Sequence, residues 1–146
     1  MTWQDRVLTR AEAASLSGLH PVTLDVVLHR TKPLAPLYSE KRKGRRWFSA
    51  ADITVLRLAF ELERAGRNWP TAIAQAFQHL ATPPPNDALL VVPVLSVSST
   101  SGRVLTGLPA LSGSDSMIVL PIGRIAAEII AACDQLKETT VVAVSN

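Results

Sequence analysis

Apolar positions in the first eighty residues recur at helical spacing, whereas those after residue 87 come in short continuous runs. Thr9-Arg10-Ala11-Glu12 has the form of a capping box, in which the cap hydroxyl and the carboxylate three residues on each satisfy one free N–H. It predicts a helix over 10–17 with Ala11, Ala14 and Leu16 inward. Gly18 ends it, since glycine takes the left-handed C-cap conformation most readily. Pro21 opens a second helix, to Arg30, at the first position, where its missing N–H costs nothing. Leu24, Val27 and Leu28 form its buried stripe. His20, Val22, Thr23, Val26, His29 and Arg30 make up the outward face, and Asp25 is placed to pair with His29 one turn on. Two prolines in 33–36 predict a non-helical connection. Ser49-Ala50-Ala51-Asp52 is a second N-cap pattern, opening a helix to Arg64 with Ile53, Leu56, Ala59 and Phe60 inward. Residues 65–68 break it. Trp69-Pro70-Thr71 opens a further helix to Leu80, with Trp69, Ile73, Phe77 and Leu80 in the core.

Between the second and third helices lies S-E-K-R-K-G-R-R-W-F-S, which places Lys41, Arg42, Lys43, Arg45 and Arg46 around Gly44. Leu37, Tyr38, Trp47 and Phe48 flank these charges. The pattern predicts a β-hairpin with a basic tip and legs anchored in a core. Five cations cannot all face one way on a hairpin, so about three are expected to meet a partner. Trp47 and Phe48 alternate along the strand, and one of them should face the core.

T-P-P-P-N-D at 82–87 is a stiff, polyproline-like spacer. It divides the chain into residues 1–81, a linker at 82–87 and residues 88–146. In the last segment, 88–97, 103–106 and 117–120 read as strands, with a Ser/Gly turn at 98–102 and a loop at 107–116. Residues 123–137 read as an amphipathic helix with Ile125, Ile129, Ala132, Cys133 and Leu136 on one face. The β-branched run at 139–144 reads as a last strand, giving a strand–helix–strand unit over 117–144. The fold class is therefore α+β: a mostly helical N-terminal segment with a two-stranded hairpin, then a small α/β module.

The chain has 146 residues and 47% hydrophobic positions, a globular composition. The net charge of +3 is uneven. Residues 1–81 carry 12 Lys/Arg against 7 Asp/Glu, and residues 82–146 carry 3 against 5. Only the first segment is suited to a polyanion. No apolar run is long enough to span a bilayer, and the first residues lack a signal-peptide core. The expected setting is cytoplasmic, associated with the nucleoid, with no membrane partner. One cysteine excludes an intrachain disulfide and a Cys-rich zinc site. Cys133, beside Ala131, Ala132 and Asp134, is expected to be a buried thiol. The serines of 112–116 have no histidine in the C-terminal segment to activate them, and 120–124 joins a strand to a helix without a glycine-rich fingerprint. No enzyme, metal or cofactor is expected.

The order helix, turn, helix, hairpin, helix, helix over residues 8–81 resembles the DNA-binding domain of MerR-type regulators, a winged helix-turn-helix. The matching stretches are G-L-H-P-V-T-L at 18–24, G-R-R-W-F-S at 44–49, A-D-I-T-V-L at 51–56 and E-L-E-R-A-G at 61–66. The resemblance implies that the second helix enters the major groove and that the hairpin, as a wing, contacts the flanking backbone. Where that family has Leu-Arg-Tyr-Tyr, this chain reads Leu24-Asp25-Val26-Val27, and the proline linker replaces the family's long coiled-coil helix. The expected partner is double-stranded DNA. The candidate contacts are His20, Val22, Thr23, Val26, His29 and Arg30 on the helix, and Lys41, Arg42, Lys43, Arg45 and Arg46 on the wing. The expected role is a bacterial or phage transcriptional regulator. Its C-terminal module would form a homo-oligomer or recruit a partner such as RNA polymerase or a recombinase. The alternatives are an excisionase-like, architectural or packaging DNA-binding factor, a protein-interaction adaptor, and a small-molecule sensor.

Overall fold

A computed structural model describes residues 2–94, 102–106 and 116–145, with side chains to residue 139. Its architecture is mixed α+β, with six α-helices among the described residues, a two-stranded hairpin and a three-stranded antiparallel sheet. The expected strand at 95–97, the turn at 98–101 and the loop at 107–115 lie outside the described residues.

The first two helices fall where the caps place them: α1 at Arg10–Ser17 and α2 at Pro21–Arg30. The Thr9–Glu12 capping box is complete, and Gly18 closes α1 at φ 76°. The inward face of α1 is rotated from the expected one. Ala13, Ala14 and Ser17 are buried, Leu16 is half-buried and Ala11 is exposed. Small residues at 13, 14 and 17 let α1 lie close against the long helix described next.

That helix, α4 (Ala50–Arg64), organises the core, and ten of its residues are buried. Before it, the proline segment is helical after all: a 3₁₀ turn at Lys32–Leu34 and a short α3 at Ala35–Tyr38. Pro33 and Pro36 each sit in the first turn, where no N–H is needed, so two prolines cost these short helices nothing. After α4 comes α5 (Trp69–Phe77), capped by Asn68 and shorter than expected. Its end leaves Phe77 exposed, while Leu80, beyond the helix, turns back into the core. The helices α1, α3, α5 and α6 all pack on α4.

In the C-terminal half, β3 (Ala88–Pro93) is central and pairs antiparallel with both β4 (Arg103–Thr106) and β5 (Met117–Leu120). The expected strand–helix–strand unit does not form. α6 (Ile122–Ser145) runs straight through residues 139–144, all β-branched but Ala143. No Gly, Pro or Asn follows Gly123 within the helix. Extending a formed helix through β-branched residues costs only about 0.5 kcal/mol each, and nothing in the sequence stops it.

α6 buries Ile122, Ile125, Ala126, Ile129 and Cys133 against α4 and β3. Buried apolar residues on both sides of the proline segment form one continuous cluster. Arg67 reinforces the junction, donating to Gln75 Oε1 at 3.3 Å, to the Val94 carbonyl at 2.7 Å and to the Pro93 carbonyl. The proline segment itself is locked against α6. A Cβ on Gly123 would stand 1.9 Å from the Pro85 carbonyl oxygen, so only glycine fits there. Burial, with the nearby carboxylates of Asp134 and Glu12, pushes the Cys133 thiol up to about 11.

Two outcomes follow from this packing. Gly123→Ala should lower unfolding stability by about 1–3 kcal/mol, as overpacking does, measured by urea denaturation. Iodoacetamide at pH 8 should leave Cys133 unmodified in the folded protein and alkylate it in urea, because a buried, protonated thiol is a poor nucleophile. Rapid labelling of the folded protein would contradict the burial.

Candidate nucleic-acid interface

The hairpin is built by its turn. β1 (Glu40–Arg42) and β2 (Arg45–Trp47) pair with Arg42 opposite Arg45, leaving Lys43-Gly44 as a two-residue loop. Both loop residues have positive φ, 50° at Lys43 and 78° at Gly44, as the tightest hairpin turn of the primed type demands. Glycine meets this freely. A lysine in the left-handed region costs on the order of 1 kcal/mol, and Asn would sit there more easily. The sequence accepts that cost and places a cation at the outermost point.

The base of the hairpin is fixed from three directions. Phe48, fully buried, exchanges two backbone hydrogen bonds with Leu8, at 3.0 and 2.9 Å. Arg6, two residues before Leu8, makes a two-pronged pair with Asp52, Nε to Oδ2 at 2.9 Å and Nη2 to Oδ1 at 3.2 Å. Asp52 is almost wholly buried and also accepts the Ser49 N–H at 2.8 Å, completing the α4 capping box. The Arg6 guanidinium further donates to the carbonyls of Pro36 and Leu37. On the other leg, the Tyr38 hydroxyl lies 2.6 Å from Thr31 Oγ1, which itself donates to the Val27 carbonyl at 2.7 Å. This joins the end of α2 to the start of the hairpin. Burial raises the Tyr38 phenol above its ordinary value, against the opposing pull of the Thr31 hydrogen bond and the Arg46 charge.

The five hairpin cations separate by role. Arg42 lies over the Trp47 ring at 5.2 Å and donates to the Arg6 carbonyl at 2.6 Å, with Glu40 3.7 Å away. Arg46 is half-buried and donates to Ser39 Oγ at 3.0 Å. Lys41, Lys43 and Arg45 are exposed and have no hydrogen-bond or ion-pair partner among the described residues. Trp47 is half-buried, so of the two neighbouring aromatics it is Phe48 that enters the core.

The hairpin faces α1 and α2 across a groove of about 510 Å³. Thr9, Arg10, Ala11 and Leu28 line it from the helices, and Lys41, Gly44, Arg45, Arg46 and Trp47 from the hairpin. Four of these residues are cationic and none is acidic. On α2, His20, Val22, Val26, His29 and Arg30 are exposed and Thr23 is half-exposed, the outward face the sequence predicted. His20 is also a cap, its Nδ1 accepting the Val22 N–H at 3.2 Å. Asp25 is not paired with His29 as expected. Its carboxylate meets the Arg10 guanidinium across the α1–α2 junction, a partner that spacing along a single helix cannot reveal.

Arg10 is the one groove cation that is not among the contacts expected from the sequence. One signal did mark it. A cation in the first turn of a helix opposes the helix dipole, so its place there needs a partner outside that helix. A larger cleft of about 730 Å³ surrounds Arg6 and Asp52, but the polar groups of those two residues are already matched to each other. Among the described residues no three His, Cys, Asp or Glu side chains gather to hold a metal ion, and no helix is long and apolar enough to cross a membrane. No family model matches the chain, and a search of curated proteins finds no match either.

Asp52→Ala should cost about 3 kcal/mol, since it leaves the half-buried Arg6 guanidinium without its carboxylate and removes the N3 partner of the Ser49 capping box. The loss should appear in urea unfolding. Phe48 and the hairpin amides should lose hydrogen-exchange protection before the middle of α4 does.

Proposed function

We propose that this protein binds double-stranded DNA as a winged helix-turn-helix, with α2 in the major groove and the hairpin, its wing, on the phosphate backbone. The observation that carries this reading is the groove that the hairpin forms with the start of α1 and with Leu28 of α2, lined by Arg10, Lys41, Arg45 and Arg46 and by no acidic residue. Cations near phosphates release condensed counterions, giving an affinity that is strong at low salt and blind to sequence. Lys41, Lys43 and Arg45 have no internal partner to lose among the described residues. Arg42 and Arg46 brace the hairpin and add to its field. Sequence choice falls to the outward face of α2, where Thr23, His29 and Arg30 can reach base edges.

The half-site of one such unit is short, and useful discrimination among many genomic sites needs at least two copies. We assign that role to residues 88–146, as a self-association surface or as a dock for RNA polymerase or a recombinase. The combined reading is a transcriptional regulator, with an architectural DNA-bending factor as the alternative use of the same interface.

The test is a titration of duplex DNA at several salt concentrations. Lys41→Ala combined with Arg45→Ala should weaken binding to every sequence alike. It should also reduce the slope of log affinity against log salt by about 1.8, two phosphate contacts at about 0.9 each. Thr23→Ala or Arg30→Ala should instead change the ranking of sequences. An unchanged salt slope in the hairpin double variant would contradict the reading.

A further inference from the structure

The outward face of α2 has a centre. Val22, Asp25, Val26 and His29 follow one another at i, i+3, i+4 and i+7, a single stripe along the helix, and all four are exposed. An acid in the middle of a surface meant for a polyanion is costly unless it has a use there. Asp25 is half exposed, with one carboxylate oxygen, Oδ1, engaged by Arg10. That pairing offsets the negative charge that would otherwise repel phosphates, and it leaves Oδ2 directed to no other described partner.

We propose that Asp25 is a specificity determinant that selects cytosine in the major groove, with Arg10 as the positioning residue that holds its carboxylate. This rests on the DNA-binding reading above. An ionised carboxylate can only accept hydrogen bonds. In the major groove the available donors are the cytosine N4 amine and the adenine N6 amine. Adenine carries its N7 acceptor beside that amine, and N7 repels a carboxylate. Cytosine presents the amine with no acceptor on its own ring in the groove. Thymine presents an acceptor and a methyl group, and guanine presents two acceptors, so a carboxylate disfavours both. Val22 and Val26, 61% and 38% exposed, lie within one turn of Asp25. They suit the methyl groups of neighbouring thymines. The preferred half-site therefore combines one cytosine with adjacent thymine.

The experiment is selection from a randomised duplex library with the full chain, its Asp25→Ala variant and its Asp25→Asn variant, followed by titration of the selected duplexes. The parent should enrich cytosine at one position of the half-site. Asp25→Ala should reduce the preference for cytosine there by roughly 5- to 100-fold, the range of one lost base contact. The same variant should bind unrelated DNA more tightly and with a steeper salt dependence, because an acid is removed and Arg10 is freed to meet a phosphate. A merely structural role for Asp25 would produce no such opposite movement of specificity and general affinity. Asp25→Asn should move the preference toward adenine, which an amide can engage at N6 and N7. Both variants change an exposed residue, and their unfolding midpoints should stay near the parent's. Identical base preferences at every position in parent and Asp25→Ala would overturn the proposal while leaving DNA binding intact. A parent that retains no duplex at all would overturn both, and the two failures are told apart by that first step.

Discussion

Asp52 is the point on which the rest of the N-terminal half turns. Its carboxylate performs two tasks that the sequence keeps apart. It closes the capping box of α4, the helix on which α1, α3, α5 and α6 pack, and it holds both prongs of Arg6. Arg6 in turn carries the strand-like segment whose Leu8 pairs with Phe48 at the base of the hairpin. A buried charge pair of this kind contributes little net energy over an apolar replacement, but breaking it by removing one partner is costly. Its consequence here is geometric. It fixes where the hairpin leaves the core relative to α2. The same first segment is tied down nearer its start, where the Trp3 indole N–H donates to the Leu80 carbonyl and the Gln4 amide to the Ala81 carbonyl.

With its base fixed, the hairpin can present charge at its tip. Its register puts Lys43 and Gly44 in the turn. Two of the five cations brace the hairpin from within, and three are left to the solvent. The arrangement separates two demands that compete on a short ribbon: holding shape and offering unpaired positive charge. The Thr31–Tyr38 contact couples the end of α2 to the same ribbon, and a cationic groove lies between the hairpin and the start of α1, with Leu28 of α2 in its wall.

What was legible in the sequence was local. The caps at Thr9 and Ser49, the Gly18 stop, Pro21 at the head of α2 and the hairpin tip at Gly44 act within a few residues, and each lies where its chemistry put it. What was not legible depended on neighbours distant in the chain. The partner of Asp25 is fifteen residues away on another helix. The Arg6–Asp52 pair spans forty-six, and the Arg67 clamp on the end of β3 spans twenty-six or more. Pro33 and Pro36 break a helix only in its interior, and in a first turn they break nothing. The β-branched residues at 139–144 carry a strand preference that is weaker than the absence of any stop signal behind them. In the candidate interface, the outward residues of α2 and the hairpin cations were visible from periodicity and charge. Arg10 was marked only by its unfavourable place in the first turn of α1, and the Asp25 that faces it was not legible.

The central claim is that α2 and the hairpin together form the DNA-contacting surface. The most direct measurement is an amide chemical-shift map of the labelled protein as duplex DNA is added at low salt. The account predicts that the largest shifts fall on residues 20–30 and 41–47, with smaller ones at Thr9 and Arg10. Shifts confined to residues 103–139, or no shifts at all, would contradict it.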